Sequence, residues 1–336
     1  MTTIKIRDVA ALAGVSVGTA SRVLSGHSST SPESRRKVTE AAATLGYRLN
    51  AQGRSLRKGY ADTIGVLVSD IRNPFFAEIA HNAEQCALGK GFATLLCNAN
   101  ESIAQQDLYL DLLYSQRVAG IIVAPQGDGG GTLRSLLTQD VPVVFVDRTI
   151  DGADVPSVTS DNQAGIAEAI GHLAELGHRR VGVVAGPQAT STGRERLVAC
   201  REAISKHGLD ADPELIVVGD FQVESGRRGA AALLDLPKPP TALLACDSLM
   251  TFGAIEVLRE RGIKMGRALS VIGYDDVEAY RLLRLGLTVV AHDPAQMGSL
   301  AVGMVLDAIV GREVSSIVLE SKLIVRGSTA PAMDSG

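Results

Sequence analysis

Carboxylate, guanidinium and amide side chains follow several apolar, strand-like runs of the sequence, where they could form a ligand-binding site. In chain order they are Asp70, Asn73, Asp147, Arg148, Asp247 and Asp275. Ligands of open α/β sheets bind beyond the carboxyl ends of the strands, so side chains at these positions can converge. Each of them alone is more often a helix cap or a turn residue. Together, carboxylates and guanidiniums can each hold two adjacent hydroxyl groups, which favours a polyhydroxylated ligand.

The same residue types allow an enzymatic interpretation, which the sequence disfavours. Asp147 and Asp275 could exchange protons with a substrate, but a carboxylate paired with an arginine stays ionised and is better suited to binding. Residues 14–18, Gly-Val-Ser-Val-Gly, match the nucleophile motif of hydrolases. That motif requires a buried strand before the serine, whereas a helical period precedes Ser16. We therefore predict that the protein is not an enzyme.

Neither a cofactor nor a metal is indicated. The sequence contains no Walker motif and no G-x-G-x-x-G, and the glycine-rich stretch 127–131 is typical of a surface loop. The four cysteines form no Cys-x-x-Cys pair, and no histidines stand at metal-ligand spacing. We therefore predict no cofactor and no metal, and we interpret the cysteines as ordinary buried thiols.

Three short helices are predicted at the start of the chain. Apolar residues within 6–13 recur at helical spacing, and Gly14 provides a stop. Ser16 can cap a second helix, and Ser31 with Pro32 can begin a third that ends at Gly46. Two helices joined by a tight turn and packed with a third are typical of the helix-turn-helix motif. The second helix of that motif enters the major groove of DNA.

The distribution of charge supports a DNA-binding head. Residues 1–60 contain ten basic and three acidic residues, a net charge of +7, whereas the whole chain carries -4. The remaining residues therefore carry -11. A basic head on an acidic body suits a head that binds a polyanion and a body that does not.

From residue 63 onward, apolar runs alternate with helical stretches, which is typical of parallel sheets with right-handed crossovers. The runs comprise residues 64–68, 93–97, 120–124, 141–146, 181–185, 215–218, 242–245 and 269–272. They fall into two sets that divide near Asp161, which predicts two doubly wound lobes with a cleft between them. We expect the segment from Leu287 onward to cross back to the first lobe. The sequence has no apolar run of about 18 residues and no secretory signal, so we expect a cytoplasmic protein without a membrane partner.

The sequence also resembles a known family over essentially its whole length. Residues 6–26, IRDVAALAGVSVGTASRVLSG, are similar to the head of the LacI/GalR family of bacterial transcription regulators. Further similar motifs are LGY at 45–47, RSLR at 54–57, IGVL at 64–67, NPFF at 73–76, GYDD at 273–276 and IVRGST at 324–329. The resemblance implies a small all-α helix-turn-helix head and a two-lobed α/β effector domain of the periplasmic-binding-protein type, with doubly wound parallel sheets.

The resemblance also assigns DNA contacts to the second helix. The matching positions near phosphates are Ser16, Thr19 and Ser21, and those at base edges are Val17, Gly18 and Arg22. A guanidinium can pair bidentately with guanine, which is worth ~1–3 kcal/mol of discrimination. Arg22 is therefore the predicted specificity residue. Val17 and Gly18 are smaller than the residues of many relatives, which favours contact with a thymine methyl group or no direct base contact.

Residues 49–61 form the predicted linker, which the family uses as a hinge helix in the minor groove. Leu56 inherits by position the role of a wedge between base pairs, and Asn50 and Arg54 complete the predicted DNA-binding set. Relatives usually have Pro where Leu49 stands and Ala where Gly53 stands. Gly53 should weaken the hinge helix by about 1 kcal/mol relative to Ala, so its folding would depend more on DNA and on a partner chain.

The resemblance places an effector site at the cleft. Its predicted residues are Asn73, Phe75, Phe76, Asp147, Arg148, Arg196, Asp247, Asp275 and His292. Aromatic faces can cover the apolar side of a sugar ring while polar groups hold its hydroxyls. We therefore predict a monosaccharide effector, with a ribose-like pentose favoured. A purine or nucleoside is the alternative, because regulators that resemble this one bind purines in the same cleft.

The predicted function is a sequence-specific DNA-binding regulator, a repressor, controlled by a small molecule. The head spans residues 1–48, the hinge 49–61, the effector and dimerisation domain 62–330, and a tail 331–336. Operator DNA, the effector and a second copy of the chain are the predicted partners, because paired heads would bind half-sites ~34–36 Å apart. A sugar-binding protein without a regulatory role would explain the cleft but would leave the basic head without a function.

Overall fold

The computed structural model describes residues 4–24, 30–47 and 61–332. The chain forms two compact units, Met1–Ala61 and Asp62–Gly336. Within the described ranges, no helix has both the length and the apolar content that crossing a membrane requires.

The head contains the three predicted helices, α1 (Ile6–Ala13), α2 (Val17–Leu24) and α3 (Pro32–Leu45). Left-handed glycines end α1 and α3, with φ of 65° at Gly14 and 63° at Gly46, a conformation that glycine adopts without steric cost. The Ser31 side chain accepts a hydrogen bond from the backbone of the third helix, as predicted for a cap. One small core joins the helices, formed by Val9, Ala10, Ala13, Ala20, Val23, Val38, Ala41 and Ala42.

The body contains two six-stranded sheets, one in each lobe. The first lobe comprises β1 (Thr63–Val68), α4 (Pro74–Gly89), β2 (Ala93–Asn98), α5 (Ile103–Ser115), β3 (Gly120–Val123), α6 (Gly130–Leu136), β4 (Val143–Val146) and β5 (Ser157–Ser160). Together with a later strand, β11 (Ile317–Leu319), its strands form an all-parallel sheet in the order β11-β5-β4-β3-β1-β2. Chain order 2-1-3-4-5 within the sheet is that of a doubly wound fold, and binding sites of such folds lie at the carboxyl ends of the strands.

The second lobe repeats this arrangement. It comprises α7 (Asn162–Glu175), β6 (Val181–Ala185), α8 (Ser191–Lys206), β7 (Ile216–Val218), α9 (Val223–Leu234), β8 (Ala242–Ala245), α10 (Ser248–Glu260), β9 (Ser270–Tyr274) and β10 (Thr288–Ala291). With a later strand, β12 (Lys322–Ile324), the sheet order is β12-β10-β9-β8-β6-β7. The pairing of β12 with β10 is the one antiparallel pairing among the described strands. The predicted fold class is confirmed.

Three crossovers connect the lobes, and one of them was predicted at the wrong place. The division near Asp161 is confirmed, because β5 belongs to the first sheet and α7 packs in the second lobe. The prediction that the chain crosses back from Leu287 was wrong. Thr288 pairs with Ile272 of β9, so β10 still belongs to the second sheet. The chain crosses after β10 into α11 (Pro294–Ile309) and β11 (Ile317–Leu319), and it returns to the second sheet as β12 (Lys322–Ile324).

Each sheet is covered by apolar side chains on both faces, which accounts for the continuous apolar runs in the sequence. In the first lobe, α4 and α11 cover one face through residues such as Ile79, Met297 and Val302, and α5 and α6 cover the other. In the second lobe, α7 and α8 cover one face, and α9 and α10 cover the other. The packed sheets hold the strand ends of both lobes as rigid edges that face each other across the cleft.

Candidate functional site

The outer face of α2 presents the residues predicted to meet DNA. Ser16, Val17, Gly18 and Arg22 are exposed, whereas Thr19 and Ser21 are half-buried. Val17 leaves 48% of its surface in solvent, so its methyl groups are accessible to a binding partner. The opposite edge of α2 is buried through Ala20 and Val23. The helix therefore buries one edge and leaves a small, largely uncharged surface around a single guanidinium.

Arg22 differs from two basic residues of α3, which form ion pairs along their own helix. Arg36 pairs with Glu40 at 2.9 Å and Lys37 pairs with Glu33 at 2.8 Å on α3. Arg22 forms no ion pair with any residue described in the head, and its Nε donates to the carbonyl of Gly18 at 3.3 Å. That contact aligns the side chain with its own helix while the guanidinium stays exposed. The arrangement suits a side chain that reaches a base edge.

Ser16 and Thr19 form the start of α2. The Thr19 amide donates to Ser16 Oγ at 3.1 Å, and the two hydroxyl oxygens are 2.9 Å apart. These contacts cap the helix and fix the hydroxyls at its N-terminus, where phosphate groups bind favourably. The predicted hinge residues Asn50, Arg54 and Leu56 lie outside the described residues.

Across the body cleft, hydrogen bonds between buried side chains join the two lobes. Asn73, at the cap of α4, donates through Nδ2 to Asp247 Oδ2 at 3.1 Å. Ser248 Oγ donates to Asn73 Oδ1 at 2.8 Å. Asp247 also caps α10 by accepting from the Met250 amide at 2.9 Å. The side chains of Asn73 and Asp247 thus connect the starts of two helices that belong to different lobes.

Arg196 occupies the second-lobe wall of the cleft. Its Nε donates to Asn162 Oδ1 at 3.0 Å, its Nη1 donates to the Cys246 carbonyl at 2.9 Å, and its guanidinium lies 4.0 Å from the centre of the Tyr274 ring. Arg196 Nη2 approaches Asp147 Oδ1 of the first lobe at 3.7 Å. Burial opposes the charge, but Tyr274, Asp147 and other acidic groups raise the pKa of the guanidinium. Arg196 is therefore a fixed cation at the centre of the cleft.

Arg148 lies between two aromatic rings from opposite lobes. Its guanidinium is 5.6 Å from the ring centre of Phe76 and 4.9 Å from that of Phe221. Glu101 accepts hydrogen bonds of 2.6 and 2.8 Å from its two terminal nitrogens, and Gln126 accepts a third at 3.2 Å. Burial alone would lower the pKa of Arg148, but the charge and hydrogen bonds of Glu101 together with the charge of Asp147 outweigh it and raise the pKa. The guanidinium is therefore held charged, with an aromatic ring from each lobe nearby.

Asp275 and His292 face each other at one end of the cleft. His292 Nε2 is 2.9 Å from Asp275 Oδ1, but the atoms are not aligned as a hydrogen bond, so we regard the contact as electrostatic. Phe75 packs edge-on against His292, with ring centres 5.0 Å apart, and against Phe76 at 5.2 Å. Phe75 therefore supports the wall behind Phe76 and His292.

Buried polar atoms without hydrogen bonds are concentrated at this cleft. In the described part of the chain they include Arg148 Nε, Thr192 Oγ1, Asp275 Oδ1 and both ring nitrogens of His292. Three of these atoms still lie near an opposite charge, because Asp275 Oδ1 is 2.9 Å from His292 Nε2 and Arg148 Nε is 3.5 Å from Asp147 Oδ2. An unsatisfied buried polar group costs roughly 1–3 kcal/mol, so Thr192 Oγ1 and His292 Nδ1 in particular indicate a polar ligand.

Backbone strain is found at the same place. Six described residues other than glycine have positive φ, and all but Arg117 border the cleft: Asn100, Glu101, Asp147, Phe221 and Asp275. Asp147 directly follows β4 and Asp275 directly follows β9. Strained conformations of this kind cost of order 1–3 kcal/mol each and cluster at binding sites. The turns at the strand ends are therefore shaped to aim these side chains into the cleft.

Burial also changes the ionisation of the cleft carboxylates. Desolvation raises the pKa of Asp147 even though Arg196 and Arg148 oppose the shift. Desolvation, with the charge of Asp275, raises the pKa of Asp247 to about 7. The described residues include no cluster of three or more His, Cys, Asp and Glu residues that could hold a metal ion. The groups in the cleft are thus suited to holding a polar organic ligand.

The structure brings all nine predicted effector residues to the cleft or its walls, and it adds others that sequence reasoning missed. The additions are Glu101, Gln126, Asn162, Thr192, Phe221 and Tyr274. Phe221 comes three residues after β7, so the rule that ligands bind beyond strand ends could have identified it. Asn162 and Thr192 lie in the first turns of α7 and α8, and no local pattern distinguishes them from ordinary cap residues.

Comparison with known proteins gives two matching family models. The model for bacterial regulatory proteins of the lacI family matches residues 5–50, and the model for a periplasmic binding protein-like domain matches residues 170–329. The chain is 31% identical over 335 residues to the HTH-type transcriptional repressor CytR of Escherichia coli (strain K12), covering 96% of each chain. It is 32% identical over 329 residues to the HTH-type transcriptional repressor PurR of Edwardsiella ictaluri (strain 93-146), covering 97% of this chain and 96% of that protein.

A solved structure agrees with these relatives. The lac repressor dimer bound to operator and the anti-inducer ONPF matches with a TM-score of 0.87 and 27% identity, covering 98% of this chain and 100% of that chain. The relatives are transcriptional repressors, so the prediction that the chain is not an enzyme is confirmed. The relatives are more than 30% identical along nearly the whole chain, which has a helix-turn-helix head and a two-lobed body. The chain therefore belongs to the LacI family of bacterial transcription regulators.

Proposed function

We propose that the protein is an operator-binding repressor whose affinity for DNA is controlled by a nucleoside bound between the lobes. The observation that carries the choice of effector is the position of Arg148 between Phe76 and Phe221. Phe76 and Phe221 come from opposite lobes, and each lies near the planar guanidinium of Arg148. A nucleobase that stacks on one of these rings or on the guanidinium would be bound between the lobes.

The polar groups nearby suit the pentose of such an effector. Asp147 and Arg196 approach each other across the cleft at 3.7 Å, a distance at which a hydroxyl group can bridge them. Asp275 Oδ1 is an open acceptor at one end of the cleft, and Thr192 Oγ1 is a further buried hydroxyl without a partner in the described chain. A nucleoside would thus contain the ribose-like ring that the sequence favoured.

The DNA side of the proposal assigns the base contacts to α2. Arg22 would pair with a guanine, Val17 would meet a thymine methyl group, and Ser16, Thr19 and Ser21 would hold phosphates. Leu56 in the hinge would wedge into the minor groove next to Asn50 and Arg54. We retain the division into head 1–48, hinge 49–61 and effector domain 62–330 as part of this proposal. A regulator of this kind acts in the bacterial cytoplasm, where the chromosome lies.

Closure of the cleft can couple the effector site to the DNA-binding heads. Two chains are needed to present two heads to one operator, and the family implies a homodimer. A nucleoside that contacts Arg196 on one lobe and Asp147 on the other would favour the closed arrangement and shift the first lobes of the dimer. Operator and effector must then alter each other's affinity by the same factor, typically through ~1–3 kcal/mol.

A ligand panel tests the proposed effector. The full chain is heated with nucleosides, with the corresponding free bases, and with ribose and hexoses, and the melting temperature is compared with that of the free protein. A nucleoside at 100 times its dissociation constant should stabilise the fold by ~2.7 kcal/mol, a shift of roughly 5 °C for a body of this size.

The melting-temperature shifts with nucleosides, free bases and sugars are then compared to decide the class of the effector. A shift with a nucleoside that exceeds the shifts with its base and with ribose supports the proposal. An equal or larger shift of the melting temperature with a monosaccharide would contradict the proposal and show that the effector is a sugar, as the sequence first indicated. Operator affinity, measured by fluorescence anisotropy with and without the stabilising ligand, must change in either case.

A further inference from the structure

The glycine-rich stretch 127–131 lies in the connection from β3 into α6 and packs against the start of α5. Gly127 and Gly129 have φ of 53° and 94°, a region that other residues rarely adopt. A methyl group added at Gly127 would lie 2.8 Å from Ile103 Cδ1, and one at Gly129 would lie 2.4 Å from Ile150 Cδ1. The stretch is therefore a tightly fitted turn.

Gln106 of α5 holds this turn from inside the first lobe. The residue is fully buried. Its Oε1 accepts a hydrogen bond from the backbone amide of Gln126 at 2.8 Å, and its Nε2 donates to the Gly129 carbonyl at 2.9 Å. Glutamine is seldom buried completely, and here both ends of its side-chain amide bind the backbone of one turn. Gln106 therefore fixes the position of Gln126.

The side chain of Gln126 continues these contacts to the effector site. Its Nε2 donates to Ser69 Oγ at 2.8 Å and to the Ala124 carbonyl at 2.9 Å. Both amide hydrogens are thereby used, and Oε1 accepts from Arg148 Nη1 at 3.2 Å. The opposite orientation of the amide would place N–H donors against a guanidinium, which can only donate. Gln126 can therefore bind Arg148 in one orientation only.

Arg148 is thus held from the side of α5 by two routes. Glu101, two residues before that helix, accepts from both terminal nitrogens of the guanidinium at 2.6 and 2.8 Å. Gln126 accepts from the same Nη1 atom as Glu101 does. Gln106 stands behind Gln126 and binds its backbone, so it can influence the guanidinium without contacting an effector.

We infer that Gln106 is a positioning residue of the effector site, which aligns the guanidinium of Arg148 through Gln126. A planar guanidinium stacks or forms paired hydrogen bonds only over a narrow range of orientations, so a loss of alignment weakens the bound effector. The consequence for the effector rests on the proposed function. The alignment itself can be measured on the protein without a ligand.

Nuclear magnetic resonance of the arginine side chains in the full chain tests the alignment. Gln106→Met removes both hydrogen bonds and keeps a side chain of similar volume. The control is Gln105→Met, on the same helix. It removes the hydrogen bond that Gln105 Nε2 donates to the Asn98 carbonyl at 2.8 Å and leaves the contacts of Gln126 intact. The guanidinium signals of Arg148 are identified by their loss in Arg148→Lys.

Rotation of the Arg148 guanidinium about its Nε–Cζ bond should be slow in the native protein and in Gln105→Met. It should be about fivefold faster in Gln106→Met, which corresponds to one lost hydrogen bond. Gln126→Met removes the acceptor directly and should give the same increase, which keeps the test decisive if Gln106→Met does not fold. Rotation rates that are equal in all these proteins, or that rise equally in the Gln105 control, would overturn the inference.

Calorimetric titration with adenosine adds a functional measurement. Adenosine should bind about fivefold more weakly to Gln106→Met, to Gln126→Met and to the double variant alike, because all three break the same connection. Losses of affinity that add up in the double variant would show that Gln106 does not act through Gln126, which would contradict the inference. Absence of adenosine binding to the native chain would count against the proposed effector, and the rotation rates would still decide the role of Gln106.

Discussion

The buried carboxylate of Asp247 should make the stability of the body depend on pH. Asp247 is only 5% exposed, caps α10 and accepts a hydrogen bond from Asn73 of the opposite lobe. Its pKa is raised from 3.8 to about 7, chiefly by burial and then by the charge of Asp275. The folded protein therefore holds a proton on Asp247 between pH 4 and 7 that the unfolded chain releases.

The sign and size of the effect follow from these two pKa values. Proton binding to the folded state stabilises it at low pH, and this contribution is lost as pH rises through 7. At pH 5 the contribution is about 3 kcal/mol, and at pH 8 it is close to zero. In Asp247→Asn this contribution is absent. Asn can still cap α10, but its amide would face the amide of Asn73, which should destabilise the variant equally at every pH.

Urea unfolding at pH 5, 6.5 and 8 measures this difference. Circular dichroism is the suitable signal, because the chain has no tryptophan. The free energy of unfolding of the native protein, relative to Asp247→Asn, should fall by about 3 kcal/mol between pH 5 and pH 8. Other titrating groups change the free energy of unfolding of both proteins alike. The difference between the two free energies therefore reports on Asp247. A native-minus-variant difference that is constant across the three pH values would refute the raised pKa and the burial argument behind it.

Four further substitutions test separate parts of the structure. Arg22→Ala should weaken specific operator binding by ~1–3 kcal/mol more than binding to random duplex, and equal losses in an anisotropy titration would argue against base contact. Phe221→Leu should weaken nucleoside binding by about tenfold or more and ribose binding little, as judged by calorimetry. Gly253→Ala should destabilise the body by ~1–3 kcal/mol in urea, because the new methyl group would lie 2.0 Å from the Val223 carbonyl, where α9 and α10 touch. Gly303→Ala, where nothing lies within 4 Å, should instead stabilise α11 by up to ~1 kcal/mol, and similar effects of the two changes would contradict the packing argument.

The cleft combines a rigid interior with weak contacts at its rim. At the rim, Arg72 Nη2 donates to Gln222 Oε1 at 3.0 Å, and Arg194 pairs with Asp151 at 2.7 Å. Exposed pairs of this kind contribute only ~0–1 kcal/mol, so the rim contacts can break as the lobes open. The sheets behind them keep the interior side chains in place.

The head shows which features the sequence determines locally. Helix starts and ends depend on contacts within four residues, such as the cap at Ser31 and the left-handed glycines at 14 and 46. All three head helices were therefore predicted from the sequence. In the body, the same local rules located the strand ends that place Asp147, Asp247 and Asp275 at the cleft.

Features that depend on distant pairing were not predictable in this way. The segment around Leu287 has an apolar pattern that fits either lobe, and only its pairing with β9 assigns it to the second sheet. Arg148 contacts Phe221, Glu101 and Gln126, which lie far from it in the chain. The periodicity of the sequence contains no information about these contacts.

The amino-acid sequence by itself determined a basic three-helix head, two sets of buried strands and polar residues at their carboxyl ends, because burial, helix capping and charge act on neighbouring residues. Only the tertiary structure decided that Arg148 lies near aromatic rings from both lobes and that Asp247 is buried enough to hold a proton near neutral pH. These features depend on which surfaces of the two lobes face each other, and that depends on the packing of the whole body.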